Sequence, residues 1–182
     1  MDISLAYWGN RFTVQKEILV HIRWMIRRDM PEVVRIEKRS SGFPWWEEDF
    51  ICYLRQRNCI GMVAEYENQI LGFMVYQLYR TRIDISKLAV HPMWRHLGVG
   101  SQMISRLLDK LSLQRRSQIT INVRETNLAA QWFLYENGFR AISVLRNFYE
   151  DSLEDAYFMR LNMGTIPFSG KNRISQYLEC TA

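Results

Sequence analysis

Apolar positions along this chain change period repeatedly, and each change marks an element. Residues 17–26 are apolar with few breaks and contain a first strand. Asp29-Met30-Pro31-Glu32 follows with the chemistry of a helix start, a proline and a carboxylate beside the free amides of a first turn. Val33, Val34, Ile36 and Glu37 continue that helix until Ser40-Ser41-Gly42-Phe43-Pro44 breaks it, and residues 47–57 form a second short helix with Phe50, Ile51 and Leu54 on one face. Strands near 60–66 and 70–79 flank the turn Glu67-Asn68-Gln69. Gly61 and Gly72 inside them suggest a bulge or a close backbone approach.

A strand over 83–91 then runs through a tight turn into a helix with a glycine-rich first turn. Behind it Val99 or Gly100, Met103, Ile104, Leu107, Leu108 and Leu111 recur at helical spacing, so one face packs on a sheet. Ile119, Ile121 and Val123 alternate as a strand, Asn127 can cap a helix carrying Ala130, Phe133 and Leu134, and Gly138 stops it. Strands at 139–146 and 155–161 complete the pattern. Beyond Gly164 the chain is polar, with no clear period apart from Ile174, Tyr177 and Leu178. There is no internal repeat and no low-complexity segment.

This order predicts a mixed α/β (α+β) architecture, a central twisted mixed sheet of about six to seven strands flanked by about four helices. The three consecutive strands should be antiparallel, and each strand, helix, strand crossover parallel. At 182 residues and 48% hydrophobic, the chain suits one core: a domain over 1–164 with a tail over 165–182.

Composition narrows the setting. Cys52, Cys59 and Cys180 are an odd set without C-x-x-C spacing, which argues against a disulfide framework or a structural zinc site and for a reducing compartment. His21, His91 and His96 show no metal-ligand spacing, so no metal is expected. No apolar run approaches the roughly 18 residues of a membrane span, and the N-terminus, with Asp2 and Asn10, has no signal-peptide pattern. A cytoplasmic protein without membrane attachment is expected. The net charge of +5, carried largely by arginines around 23–39 and 106–124, suits a polyanionic partner, either nucleic acid or a phosphorylated cofactor. Two acidic islands, residues 47–49 and the set Glu150, Asp151, Glu154 and Asp155, stand against it. Both fit a solvated surface.

The candidate chemistry lies at Lys87 to Gly100. Amides of residues 95–100 have no partners inside a helix that starts there, and with the helix dipole behind them they form a seat for phosphate oxygens. That predicts an anionic cofactor.

At this point the residues resemble the GCN5-related N-acetyltransferase (GNAT) superfamily. Its acetyl-CoA signature, R/Q-x-x-G-x-G/A after an apolar strand, matches Arg95, Gly98 and Gly100. Five further patches resemble the bacterial RimI type, which acetylates the N-terminal alanine of a small-subunit ribosomal protein, and its eukaryotic relatives: Phe43-Pro44-Trp45, Val90-His91-Pro92, Val123 to Asn127 with Ala129-Ala130, Asn137-Gly138-Phe139, and Arg146 to Tyr149 followed by Glu154-Asp155-Ala156. The resemblance covers residues 17–161 in the family's order and implies the GNAT fold. It further implies that the amides of Arg95, His96, Leu97, Gly98, Val99, Gly100 and Ser101 hold the pyrophosphate of acetyl-CoA. The edge of Leu88, Ala89 and Val90 would pair with the pantetheine arm. Asn127 would approach the cofactor, or serve only as a helix cap. Phe43, Trp45, Trp46 and Tyr149 would border the acceptor cleft, with plain packing between helices as the other reading for Trp46. The acidic islands would make that cleft attractive to an amine or a basic tail.

The pattern breaks at the proton-transfer groups. Where RimI-like enzymes place a glutamate before the V-R pair and a tyrosine before the G-F glycine, this chain has Asn122 and Leu134. Tyr135 adjoins Leu134, but one residue along a helix is roughly 100° of rotation. It is either a displaced acid or a packing tyrosine. Asp84 lies in the strand before the signature, where some eukaryotic relatives place a catalytic tyrosine, and can accept a proton through water; its alternative is an ordinary sheet-edge aspartate. With an α-amine pKa of about 7.8, roughly one in seven is neutral at pH 7, against about one in 2,500 for lysine. A chain without a strong base therefore fits N-terminal amines better. The implied activity is an acetyl-CoA-dependent acetyltransferase acting on a peptide or protein N-terminus, with that of a ribosomal protein as the acceptor the RimI resemblance points to. A small-molecule amine acceptor and a CoA-binding module without catalysis are the alternatives. No recognised RNA motif interleaves the arginines, so no nucleic-acid partner is expected, and monomer or homodimer stays open.

Overall fold

The computed structural model describes residues 17–112 and 114–164; the tail expected over 165–182 lies outside them. The strands are β1 (His21–Trp24), β2 (Cys59–Tyr66), β3 (Gln69–Leu78), β4 (Arg82–Val90), β5 (Gln118–Arg124), β6 (Arg140–Tyr149) and β7 (Glu154–Asn162), and the helices are α1 (Met30–Ser40), α2 (Glu47–Leu54), α3 (Val99–Leu108) and α4 (Leu128–Glu136). Seven strands form one sheet in the order β1-β2-β3-β4-β5-β7-β6. Every neighbouring pair is antiparallel except β4 and β5.

Element types agree with the sequence pattern, and the differences have local causes. The first strand lies within 17–26, as expected, and takes four residues of it. Residues 17–20 leave the sheet to run along α3, where the Ile18 amide donates to the Leu97 carbonyl at 3.2 Å and Gln102 clasps Ile18 and Val20. β6 extends to Tyr149, so the Arg146 to Tyr149 patch is strand. The expectation of parallel crossovers holds for β4-α3-β5, whose strands pair directly, and in direction for β5-α4-β6. β1 and β2, joined through two helices, are antiparallel neighbours. β5 and β6 share a direction across α4, but β7 inserts between them and pairs with both.

Alternation along the strands divides the core in two. Ile83 and Ile85 of β4, with Ile119, Ile121 and Val123 of β5, face α3 and α4 in one buried cluster with Val99, Met103, Ile104, Leu107 and Leu134. On the other face Val63, Phe73 and Val75 pack on Val33, Ile36 and Phe50 of α1 and α2. The close approach expected at Gly72 is present, since a Cβ there would lie 2.9 Å from the Ala89 carbonyl oxygen.

One irregularity shapes the site. β4 pairs with β5 only from Arg82↔Gln118 to Ile85↔Ile121. The register against β3 slips beyond Ile85, where Ser86 bulges out, yet β4 stays paired to β3 as far as Val90. β5 meanwhile stays paired to β7 through Arg124. The sheet therefore splits into a wedge between the second halves of β4 and β5. Among the described residues no helix is long and apolar enough to cross a membrane.

Candidate active site

The glycine-rich turn forms one wall of the wedge. His96 and Gly98 both take left-handed backbone conformations, at φ +62° and +80°. Gly98 then N-caps α3, whose first backbone bond runs from the Gln102 amide to the Gly98 carbonyl at 3.0 Å. Helical geometry gives the amides of Gly98 to Ser101 no acceptor of their own. Gly100 is required sterically: a Cβ on it would lie 2.9 Å from the Phe133 ring of α4, so the start of α3 is pressed directly onto α4. Arg95 is exposed and turns its Nε back to the Val90 carbonyl, 3.2 Å. Asn127 acts as the N-cap of α4, accepting from the Ala130 amide at 3.1 Å. Leu88, Ala89 and Val90 pair with Met74, Phe73 and Gly72 on one edge. Beyond the split, their other edge has no partner from β5.

The second wall is polar and was only partly legible in the sequence. On the face opposite Ile83 and Ile85, the Thr120 hydroxyl donates to Asp84 Oδ1 at 2.5 Å. Burial pushes the Asp84 carboxyl above its ordinary value, opposed by this bond and by Arg82. Asn122 lies two residues further along the same face, roughly 7 Å at strand spacing, and among the described residues its buried Oδ1 has no hydrogen-bond partner. The Tyr149 hydroxyl donates to the Asn122 carbonyl at 3.3 Å, and burial raises the Tyr149 phenol. Asp84, Asn122 and Tyr149 are thus brought along one β5-centred row.

Arg124 and Glu37, neither of them singled out from the sequence, organise the mouth of this row. The Arg124 guanidinium lies 3.9 Å from the Phe43 ring centroid and 3.8 Å from that of Tyr149, so it is sandwiched between the two lips. It also donates to Asp151 and Glu154, each at 2.6 Å. Its contact with Asp151 is the largest influence holding that carboxyl low. Asp155 is tied to Arg146. The acidic island is therefore largely paired to arginines, which reduces the acidity the sequence suggested for the cleft. Glu37, 2% exposed, accepts from Lys87 Nζ at 2.7 Å and from the Trp45 amide at 3.2 Å. It fixes the Phe43-Pro44-Trp45 loop to β4, while the Trp45 ring packs on Phe50 and Tyr53. A carboxylate on the buried stripe of a predicted helix was the available signal.

Two residues face elsewhere. Trp46 is 58% exposed and lies under Lys38. Leu134 is buried in the core, so Tyr135 is carried to the outside of α4, stacked on Trp132 beneath Arg140.

A sheet split between β4 and β5, with a glycine-formed helix start on one wall, defines a GNAT acetyltransferase. The sequence profile of the acetyltransferase (GNAT) family matches residues 20–139, more than half of the chain, and the chain belongs to that family. It is 29% identical to the [ribosomal protein bS18]-alanine N-acetyltransferase of Escherichia coli K12 over 136 residues, which cover 73% of this chain and 90% of that protein. The crystal structure of the Escherichia coli ribosomal-protein-S18-alanine N-acetyltransferase superposes with a TM-score of 0.70 at 26% identity, covering 85% of this chain and 98% of that one. Ard1 from Thermoplasma volcanium superposes at 0.72 with 28% identity, covering 80% and 99%.

Proposed function

We propose that the protein transfers the acetyl group of acetyl-CoA to the α-amine of a protein N-terminus, with a ribosomal protein as the favoured acceptor class. The observation that carries this is the wedge itself. The residues fit the cofactor. The amides at Gly98 to Ser101 suit a pyrophosphate, Gly100 keeps the helix start bare, and the free edge of Leu88 to Val90 suits an amide-bearing arm added like a strand. The acceptor's identity is supported by the bS18-alanine N-acetyltransferase relatives and by the aromatic pair Phe43 and Tyr149 held on either side of Arg124 at the end of β5.

In the reaction the amine nitrogen bonds to the thioester carbonyl carbon, the C–S bond breaks, the amine gives up one proton and the thiolate gains one. In this reading Asp84, with its raised proton affinity, and Asn122 Oδ1, unpartnered among the described residues, hold a water or an amine proton. No side chain of this row is a strong base at neutral pH, which favours an α-amine already partly neutral over a lysine. The test is an acetyl-CoA turnover assay on free-amine peptides beginning with Ala, Ser or Met, against lysine-only peptides and a panel of small amines. Transfer to the N-terminal amines is expected. Transfer confined to lysines or to metabolites, or tight CoA binding without any transfer, would replace this reading.

A further inference from the structure

We infer that the arginine-lined cleft at the foot of the sheet, remote from the phosphate seat, binds the phosphate backbone of a single-stranded nucleic acid. The cleft has a volume of about 620 Å³ and is lined by Arg80, Thr81, Gln114, Arg115, Arg116 and Ser117. No carboxylate is among these residues. The loop after α2 joins the same end, because the Leu78 amide donates to the Asn58 carbonyl at 2.7 Å and Gln77 to Gln56 at 2.8 Å. That brings the exposed Arg55 and Arg57 alongside the β3–β4 turn.

Among the described residues, none of Arg55, Arg57, Arg80, Arg82, Arg115 and Arg116 forms an ion pair. Elsewhere on the molecule the arginines at 23, 35, 106, 124 and 146 each face a carboxylate. Arg27, Arg28, Arg39, Arg95, Arg140 and Arg160 are also without an ion pair among the described residues, so this end holds six of the twelve such arginines. The scaffold beneath it is knitted: the Ser117 amide donates to the Thr81 carbonyl at 3.1 Å, the Met163 amide to the Ser117 carbonyl at 2.7 Å, and Arg116 Nε to the Tyr79 carbonyl at 2.7 Å.

The chemistry favours phosphate on a strand over an acidic protein segment. Planar guanidinium forks bind phosphate and carboxylate oxygens alike in a bidentate way, and the hydroxyl and amide groups of Thr81, Ser117 and Gln114 add neutral donors, so the preference for a nucleic-acid strand rests on the aromatic platform beside them. Beside the cleft Arg82 lies 4.6 Å over the ring of Tyr79, a flat cation and ring pair of the kind on which bases stack. Five of the six arginines come from three separate loops and Arg82 opens β4, so no linear motif announces them. The nine residues of β4 separate this end from Val90 by roughly 30 Å at strand spacing. Occupancy of the cleft leaves the acetyl-CoA wedge open, and the inference stands whether or not the acceptor is a protein N-terminus.

The experiment is fluorescence anisotropy of a labelled single-stranded RNA with the full chain, titrated at several KCl concentrations. Log affinity should fall linearly with log salt. The double variant Arg80→Glu/Arg115→Glu should bind at least tenfold more weakly and flatten the slope by about 1.4, near 0.7 per lost contact. A thermal melt with an unshifted midpoint verifies folding, and Arg80→Gln/Arg115→Gln, with the same expected direction, serves if the charge reversal disturbs it. Equal RNA affinity in wild type and variants would overturn the proposal. So would equally tight competition by polyglutamate or by phosphatidylserine vesicles, which would reassign the cleft to an acidic protein or a membrane surface.

Discussion

In the proposed reaction Asp84 is the residue given the proton-transfer role. Its carboxyl is lifted by burial, so its basic form fills at higher pH than an ordinary carboxylate's. Asp84→Asn is expected to lower turnover on an N-terminal peptide by about 10²-fold and to remove the acidic limb of the pH–rate profile, measured by single-turnover kinetics. An unchanged profile would assign proton removal to water near Asn122. Gly100 gives a second residue-scale outcome. Gly100→Ala drives a methyl into the Phe133 ring and should weaken acetyl-CoA binding by calorimetry, with recovery in Gly100→Ala/Phe133→Leu. The glycine-rich start of α3 was legible because a helix start must leave amides free. The Thr120 bond to Asp84 was not, because pairing across β4 and β5 depends on register.

Elements meet the site through two side chains that reach between them. Glu37 joins α1 to β4 and to the loop before α2. Removing one partner of a fully buried pair costs about 3–5 kcal/mol. Lys87 is 22% exposed and can turn to water, so Glu37→Gln should cost about 2 kcal/mol in urea unfolding. The thermal midpoint should fall by about 4–8 °C. Arg124 joins the end of β5 to the Phe43 loop and to Tyr149 on β6. Arg124→Lys keeps the charge but loses the planar stack and the fork; KM for the peptide should rise several-fold with kcat changed less. Element positions followed from periodicity, whereas the length of β1 and the slot taken by β7 did not. Both depend on contacts between segments distant in sequence, Gln102 with Ile18 and β5 with β7.

For the molecule as a whole, the wedge predicts linkage between cofactor and stability. Acetyl-CoA at about 100 times its Kd should add about 2.7 kcal/mol and raise the thermal midpoint by about 5–10 °C. Stability should also respond to acid in a definite direction. At Asp29, burial acts to raise the carboxyl, but the Arg23 guanidinium and the Ile26 amide hold it below its ordinary value. Such a group stabilises the fold above its unfolded pKa and loses that contribution as pH falls through the folded one. Asp84 has the opposite sign: its folded state binds a proton more readily, so its contribution declines as pH rises from the unfolded toward the raised folded pKa. Asp151, Glu154 and Asp155 are held low in the same sense as Asp29, so with four carboxylates against one, urea midpoints measured from about pH 3 to 7 should fall in acid. Asp29→Asn should flatten that fall, while Asp84→Asn should gain relative stability toward neutrality.

The sequence by itself determined the kinds and order of the elements, the glycine-rich helix start and the family that the chain belongs to, because periodicity, caps and turn residues are local and near-neighbour physics reads them directly. The tertiary structure decided where β4 leaves β5 and how Arg124 bridges the lips. It also carried Tyr135 outward while setting Asp84 against Thr120, and it gathered three loops of arginines at one end. Each of these rests on strand register or on contact between segments far apart along the chain, which no local pattern encodes.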